Sequence, residues 1–226
     1  MNIEDKKEIS RILMKIKAIS FNVDQPFRLT SGLLSPVYVN CRRLMSFPHE
    51  RARIIDMFEN IAETEIGLGN IDVVAGGETA GIPYAAFVAQ RIFKPMIYVR
   101  KLPKEYGSKK QTEGVLKEGD KVLLVEDLVT DAGSKLNFFN GIKNDGGITT
   151  HCMVVFSYGR DIIQERMNEY GVKLFWLTDW NTTLDVALRE GYFDDREYNE
   201  VKEFLSDPSA WSKKTEEKIT KLKFES

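Results

Sequence analysis

The chain has 226 residues, of which 42% are hydrophobic and 29% are charged, so it can bury one good core. Its formal net charge of −2 argues against nonspecific nucleic-acid binding by the whole surface. No apolar run approaches the ~20 residues that a membrane span needs, and the N-terminus lacks the apolar core of a signal peptide. We therefore expect a globular, cytoplasmic protein with neither a nucleic-acid nor a membrane partner.

Cysteine and histidine usage argues against two kinds of site. Cys41 and Cys152 are isolated and lack metal-ligand spacing, so we expect reduced packing residues rather than a disulfide. His49 and His151 also lack ligand-like spacing, which disfavours a zinc site and histidine-based catalysis. We therefore predict no metal ligands among the protein's own side chains.

The N-terminal part of the chain is expected to form a helix followed by a hairpin-like hood (residues 27–43). Apolar residues recur at helical spacing through residues 1–19, which predicts a helix over one edge of the core. Thr-Ser-Gly and Ser-Pro turns then precede an alternating stretch, which predicts a short strand at 37–39.

A glycine-rich turn follows the second predicted strand, residues 71–75, which comes after a helix that starts near Pro48. The turn reads Gly76-Gly77-Glu78-Thr79-Ala80-Gly81, and a helix is predicted beyond it through residues 84–90. Three glycines within six residues let backbone amides approach a ligand such as a diphosphate closely. Taken alone, a tight strand-to-helix turn is the simpler interpretation.

A basic segment (residues 100–110) begins directly after the third predicted strand, residues 95–99. It carries five cations and one acid, and residues 102–114 have no periodicity, so we expect a mobile loop. Such a charge run is usually solvated surface, but its place at the end of a core strand favours anion binding. The cations are Arg100, Lys101, Lys104, Lys109 and Lys110.

The central stretch carries the clearest chemistry. Residues 122–125 form a continuous apolar run, typical of a parallel strand buried on both faces, and two acids follow, Glu126 and Asp127. Loop amides, the hydroxyls of Thr130 and Ser134 and the start of a helix at 135–143 favour a phosphate monoester. The carboxylates would accept from a vicinal diol and support magnesium indirectly. Otherwise, two acids close a strand and Asp131 or Ser134 caps a helix.

The remaining chain continues the alternation of strands and helices. Strands are predicted at 149–156 and 172–177, and helices at 161–170 and near 183–192, 194–206 and 209–224. This order predicts a parallel sheet with right-handed crossovers. We predict an N-terminal helix and hood over residues 1–45, an α/β core over 46–180 and a C-terminal helical extension over 181–226.

The central stretch resembles the phosphoribosyl-diphosphate (PRPP) signature of type I phosphoribosyltransferases, with Ala132 where many members carry a second glycine. The hood is similar to the Phe-x-Leu-x-Ser-Gly and Ser-Pro-x-Tyr pattern of orotate phosphoribosyltransferases. The basic segment resembles their catalytic loop, Arg-Lys-x-x-Lys-x-His-Gly, with Tyr106 in place of histidine.

Other positions depart from the family pattern: Thr30 stands where many orotate enzymes have lysine, and Ala80 where some members have lysine. Many of these enzymes also end the fourth strand in Asp-Arg, whereas this chain has Ser157 there and Arg160 farther on. We therefore assign no base-binding role to Arg160.

The resemblance implies a type I phosphoribosyltransferase-like α/β fold, a central mostly parallel sheet flanked by helices. It implies transfer of the 5-phosphoribosyl group from PRPP to orotate, giving orotidine 5'-phosphate and diphosphate in pyrimidine (UMP) biosynthesis. Mg²⁺ would bind through PRPP, and a homodimer would share its active sites. Catalytic roles fall on Lys104, Glu126 and Asp127. The substrate-binding residues that it implies are Ser31, Val37, Tyr38, Glu78, Thr79, Ala80, Arg100, Lys101, Lys104, Tyr106, Glu126, Asp127, Leu128, Val129, Thr130, Asp131, Ala132, Gly133 and Ser134.

Two other functions remain open. Another type I enzyme, acting on a purine or xanthine, would keep the central motif but should lack the hood pattern, which is present. A noncatalytic regulator that binds PRPP or a nucleotide would be expected to lose Lys104 and to gain a basic nucleic-acid face. The hood pattern therefore disfavours the purine or xanthine enzyme, and the retained Lys104 and the net charge of −2 disfavour the regulator, so the sequence favours the orotate enzyme.

Overall fold

The computed structural model describes residues 1–29, 31–103 and 110–225. Its central sheet consists of β5 (Val73–Gly77), β6 (Met96–Val99), β7 (Thr112–Glu113), β8 (Lys121–Val129), β9 (Ile148–Ser157) and β10 (Lys173–Asp179). Among the described residues the spatial order is β10-β9-β8-β5-β6-β7. Every neighbouring pair is parallel except β6 and β7, which are antiparallel. The predicted mostly parallel sheet is confirmed.

Helices cover both faces of this sheet. They are α1 (Ile3–Lys15), α2 (Pro48–Ile61), α3 (Gly81–Arg91), α4 (Gly133–Asn144), α5 (Asp161–Glu169), α6 (Trp180–Arg189), α7 (Asp195–Ser206) and α8 (Pro208–Glu225). Along β8, Leu123 and Val125 contribute to the core that contains α1, α2 and α3 residues, whereas Val122 and Leu124 contribute to the core that contains α4 and α5 residues. The two cores follow from the alternation of side chains along a strand.

The strand β8 lies between β9 and β5, and its residues 122–125 have no exposed surface. This confirms the prediction of a strand buried on both faces. The strand does not end before the acids, as the apolar run suggested, but continues to Val129. The reason is that Glu126, Leu128 and Val129 pair in register with β9. The two acids therefore stand on a rigid strand rather than in a loop.

The hood forms two short antiparallel strand pairs, one within itself and one with the chain that precedes it. The strand β1 (Ile19–Phe21) pairs with β4 (Val37–Val39), and β2 (Phe27–Arg28) pairs with β3 (Leu34–Ser35). The predicted strand at 37–39 is confirmed. The helix α8 packs on β3, and residues of α7 and α8 such as Val201 and Trp211 share the core with α1.

Several smaller observations complete the fold. Cys41 and Cys152 are both buried and free, which confirms that they pack in the core. The helix α6 begins at Trp180, three residues earlier than predicted, because the Asp179 side chain accepts from the Thr182 amide and caps it there. In the described part of the chain, the helices lack the length and apolar character that crossing a membrane would require. The three-part division at residues 45 and 180 stays a prediction.

Candidate active site

The predicted site residues converge on one edge of the sheet. Because β5, β6 and β8 are parallel, their carboxyl ends meet at the same rim, where open α/β sheets bind ligands. A cavity of about 390 Å³ opens there. Predicted residues that line it are Glu78, Thr79, Ala80, Lys101, Glu126, Asp127, Leu128, Val129, Thr130, Ala132 and Ser134.

The other predicted residues lie around this cavity or apart from it. Ser31 and Tyr38 are exposed on the hood, and Val37 is buried in the core. Asp131 and Gly133 belong to the loop that borders the cavity, and the Arg100 guanidinium lies 3.5 Å from the Glu113 carboxylate. Thr30, Lys104 and Tyr106 lie outside the described residues. Among the described residues, the cavity lining includes Arg42 of the hood but not Ser31, Val37 or Tyr38, whose substrate-binding roles stay predictions.

Sequence reasoning missed four residues that line the cavity: Arg42, Lys135, Asn137 and Phe138. A signal for Lys135 was available. Lys135, Phe138, Phe139 and Ile142 have the spacing of a buried helical stripe, and all four are buried. A lysine in such a stripe needs a partner inside the protein, so it points to a buried carboxylate.

The glycine-rich turn and the basic segment are tied to each other and to α4. The Lys101 amide donates to Glu78 Oε2 at 2.9 Å, and the Glu78 amide donates to the Val99 carbonyl at 2.8 Å. The Asn137 side-chain amide donates to the Lys101 carbonyl at 2.8 Å. The Glu78–Thr79 peptide bond is cis. Three chain segments that are distant in sequence thus form one continuous wall of the cavity.

The two adjacent acids occupy different environments. Glu126 is only 4% exposed, and both its oxygens are bound: Oε1 accepts from the Gly77 amide at 2.9 Å, and Oε2 accepts from Lys135 Nζ at 2.6 Å. Asp127 is half-buried and accepts, within the described residues, from the Leu128 amide at 2.8 Å through Oδ1. Within the described residues, no hydrogen bond reaches its Oδ2.

Burial shapes the ionisation of the Glu126 and Lys135 pair. Burial raises the pKa of Glu126 to about 7, although the Lys135 ammonium acts in the opposite direction. For Lys135 burial alone would lower the pKa, but the Glu126 carboxylate outweighs it and the net direction is upward. Burial therefore favours the protonated form of the Glu126 carboxyl, whereas Lys135 keeps its positive charge.

The loop between β8 and α4 leaves a helix N-terminus open to the cavity. The helix begins at Gly133, its N-cap residue is Ala132, and the Ala132 side chain makes no capping hydrogen bond. Asp131 Oδ1 accepts a hydrogen bond from the Gly133 amide at 2.9 Å, and the Arg166 guanidinium donates one to the Asp131 carbonyl at 2.5 Å. First-turn amides and the partial positive charge of the helix end suit an anion here.

Ala132 has the backbone conformation that glycine favours. Its φ of 67° lies in the left-handed region, which costs an L-residue roughly 1–2 kcal/mol. The site therefore keeps the turn that the resemblance led us to expect, although the residue is alanine.

Comparison with known proteins gives a consistent result. The family described as "Phosphoribosyl transferase domain" matches residues 44–185. An orotate phosphoribosyltransferase of Sinorhizobium fredii is 44% identical over 209 residues, which cover 91% of this chain and 89% of that protein. One from Dinoroseobacter shibae is 46% identical over 214 residues, covering 92% of this chain and 94% of that protein.

Solved structures share the architecture. An orotate phosphoribosyltransferase from Aeropyrum pernix superposes with a TM-score of 0.68 at 26% identity, covering 82% of this chain and 99% of that one. A UMP synthase of Leishmania donovani superposes with a TM-score of 0.73 at 22% identity, covering 89% of this chain and 42% of that one. The second likeness supports the fold alone.

Proposed function

The chain belongs to the orotate phosphoribosyltransferase family, and we propose that the cavity at the carboxyl edge of its sheet is where it transfers the 5-phosphoribosyl group from PRPP to orotate. The products are orotidine 5'-phosphate and diphosphate, in the pyrimidine (UMP) pathway. One observation carries the placement: the glycine-rich turn, Lys101, Asp127 and the 130–134 loop all line a single cavity.

The 5-phosphate of PRPP is assigned to the 130–134 loop. The N-terminus of α4 borders the cavity, and Thr130 and Ser134, which flank the left-handed Ala132 in the sequence, line it with their hydroxyl-bearing side chains. An oxyanion at a helix N-terminus is favoured both by these donors and by the helix dipole. Lys135 is bound to Glu126, so the phosphate site relies mainly on the backbone and hydroxyl groups.

The ribose ring is assigned to the acid pair at the end of β8. Asp127 presents an oxygen to the cavity and can accept from the 2- or 3-hydroxyl. Glu126 lies next to it at the cavity floor, with its oxygens directed to Gly77 and Lys135. Because β8 is a buried central strand, Asp127 is held in place before the substrate arrives, which reduces the reorganisation needed in the transition state.

The diphosphate is assigned to residues 76–80 of the glycine-rich turn, with Arg100, Lys101 and Lys104 supplying positive charge. Lys101 lines the cavity, and its backbone is held by Glu78 and Asn137. Mg²⁺ is expected to arrive bound to PRPP, and the site suits it because the Asp127 carboxylate can accept from the waters of a hydrated ion. The ion would neutralise charge on the departing diphosphate.

The reaction needs stabilisation of two developing charges rather than a protein nucleophile. As the bond from ribose C1 to diphosphate breaks, positive charge grows on the ring and negative charge grows on the leaving group. The Asp127 carboxylate stabilises the first, and the cations of the basic segment stabilise the second. Orotate is already an anion at or close to its ring nitrogen, so no strong general base is required.

Assembly and location belong to the same proposal. We infer a homodimer with shared active sites, on the basis of the family resemblance of residues 100–107, while Lys101 lines the cavity of its own chain. The protein would act in the cytoplasm, since its substrates are small anionic metabolites.

The deciding experiment is a panel of bases. Purified protein is mixed with PRPP and magnesium and, separately, with orotate, uracil, adenine, hypoxanthine or xanthine, and diphosphate release is measured. Release with orotate alone is the expected result. Release with a purine alone would overturn the base assignment. Tight PRPP binding without release in any arm would instead favour the noncatalytic regulator.

A further inference from the structure

The Glu126 carboxylate links three elements of the site, and its side chain is almost fully buried. Glu126 lies on β8. Its carboxylate accepts a hydrogen bond from the amide of Gly77 in the glycine-rich turn and forms an ion pair with Lys135 in the first turn of α4. Glu126 and Lys135 are each 4% exposed. The carboxylate thus links the segment assigned to diphosphate with the helix assigned to the 5-phosphate.

The neighbouring glycines leave space that this carboxylate occupies. A Cβ atom placed on Gly81 would overlap Glu126 Oε1, and one placed on Gly77 would lie 2.5 Å from the same atom. Real Cβ atoms essentially never approach another heavy atom so closely. The absence of a Cβ at Gly81 therefore admits the Glu126 side chain, and its absence at Gly77 admits both that carboxylate and the ring of Phe138, whose Cε2 would lie nearer still, at 2.2 Å.

The chemistry of the pair supports a positioning role. A buried carboxylate that accepts a charge-assisted hydrogen bond from lysine is strongly held, and removing either partner leaves an uncompensated charge in a dry site. Both acids line the cavity, but Glu126 is buried with its two oxygens bound by Gly77 and Lys135, whereas Asp127 is half-buried and accepts from the Leu128 amide through Oδ1 alone. The two acids of the motif are therefore not equivalent in this chain.

We propose that Glu126 and Lys135 form a buried strut that fixes the glycine-rich turn at residues 76–81 relative to the N-terminus of α4. Through this strut the two phosphate subsites keep a set separation, and PRPP is gripped at both ends at once. Glu126 and Lys135 are then positioning residues, and Asp127 is the acid that contacts the ribose. The inference rests on the proposed function, because it takes PRPP as the ligand.

The test compares two single variants with their combination. Lys135→Met leaves a carboxylate without its partner, and Glu126→Gln leaves an ammonium without its partner. Each should raise KM for PRPP about tenfold or more, with a smaller change in kcat. The double variant E126Q/K135M retains volume and an oxygen that accepts from Gly77, and it contains neither charge. Its KM for PRPP should return towards the wild-type value.

Two controls sharpen this test. Lys143→Met removes an exposed lysine from the same helix and should leave KM for PRPP unchanged. Asp127→Asn combined with Lys135→Met should show no recovery, since Asp127 is not part of the strut. A double variant E126Q/K135M that is as impaired as Glu126→Gln alone would overturn the proposal, because that result means the Glu126 carboxylate contacts ribose directly.

A second readout separates this inference from the proposed function. Hydrogen exchange of the Gly77 amide should be slow in the wild type, faster in Lys135→Met and slow again in the double variant. If the wild type neither binds PRPP by calorimetry nor releases diphosphate, the proposed function fails, while Gly77 exchange still tests the strut. Unchanged exchange in all variants would refute the strut whatever the activity.

Discussion

The backbone amide of Leu34 in the hood donates a hydrogen bond of 2.9 Å to the Ser212 hydroxyl in α8. Both residues are buried, at 6% and 3% exposure. Two exposed ion pairs, Arg28 with Glu216 and Arg196 with Asp24, join the same parts of the chain and contribute little by comparison. The C-terminal extension therefore holds the β2–β3 hairpin, which carries the pattern that resembles the base-covering hood.

Ser212→Ala should weaken this connection. The variant leaves the Leu34 amide buried without its partner, so the free energy of unfolding should fall by about 1–3 kcal/mol. KM for orotate should rise more than KM for PRPP, because the hairpin belongs to the hood. Urea unfolding and steady-state kinetics measure both. Ser206→Ala is the matched control, since that exposed hydroxyl donates within its own helix. Equal behaviour of the two variants would contradict this role of α8.

Asp127→Asn should mainly affect the use of PRPP. Asparagine can still accept from the Leu128 amide, so the end of β8 should stay folded, but the negative charge that faces the ribose is lost. KM for PRPP should rise about tenfold to a hundredfold. Calorimetric titration with PRPP checks the value, and Asp185→Asn, in a surface pair with Arg189, serves as the control. Unaltered PRPP affinity would mean that Asp127 does not contact the sugar.

Lys104→Ala should lower turnover with the fold intact. Its ammonium is assigned to the departing diphosphate, where charge grows as the bond breaks, so kcat should fall roughly a hundredfold or more. Circular dichroism and the thermal midpoint should match the wild type. Lys117→Ala, an exposed lysine outside the basic segment, is the comparison. If both variants turn over at the wild-type rate, the assignment of Lys104 is wrong.

Stability should depend on pH through Glu126. Burial raises the pKa of this carboxyl from 4.5 to about 7, with Lys135 opposing and Asp127 adding to the rise. Between these values the folded protein holds a proton that the unfolded chain has released, so the stability contribution of Glu126 is lost as pH rises.

Comparison with Glu126→Gln isolates this effect. The stability of the wild type minus that of the variant should be greatest near pH 4.5 and should decrease towards pH 7, measured by urea unfolding. Glu8→Gln should behave in the opposite sense. The hydrogen bond from Arg53 lowers the pKa of Glu8, so its contribution is lost as pH falls below its usual value of 4.5. A difference for Glu126 that grows with pH would refute the prediction.

Local sequence patterns were sufficient for the sheet and its rim. The run at 122–125 is apolar without interruption because both faces of β8 are covered, and that pattern is readable without a structure. Once the strands are parallel, the ends of β5, β6 and β8 must meet, so the grouping of Glu78, Lys101 and Asp127 follows from topology.

Long-range pairing limited what the sequence could reveal. The continuation of β8 through Glu126 depends on partners in β9, and the burial of Lys135 depends on a carboxylate in another element. Leu34 and Ser212 are 178 residues apart, so nothing in either local segment indicates their contact. The helical stripe predicts that Lys135 is buried, but it does not identify Glu126 as the partner, and no comparable pattern marks Ser212.

Gly81→Ala tests the tight packing around Glu126 by the sign of its effect. Gly81 opens α3, and replacing glycine by alanine in a helix ordinarily stabilises it by about 0.5–1 kcal/mol. Here the added Cβ would overlap Glu126 Oε1 and lie 2.7 Å from the Val125 carbonyl oxygen, which belongs to the central strand and cannot move away. We therefore expect destabilisation of about 1–3 kcal/mol, together with weaker PRPP binding as Glu126 leaves the Gly77 amide.

Gly69→Ala is the control, because a Cβ there meets no atom within 4 Å. A Gly81→Ala protein as stable as Gly69→Ala in urea unfolding would show that the carboxylate is free to move.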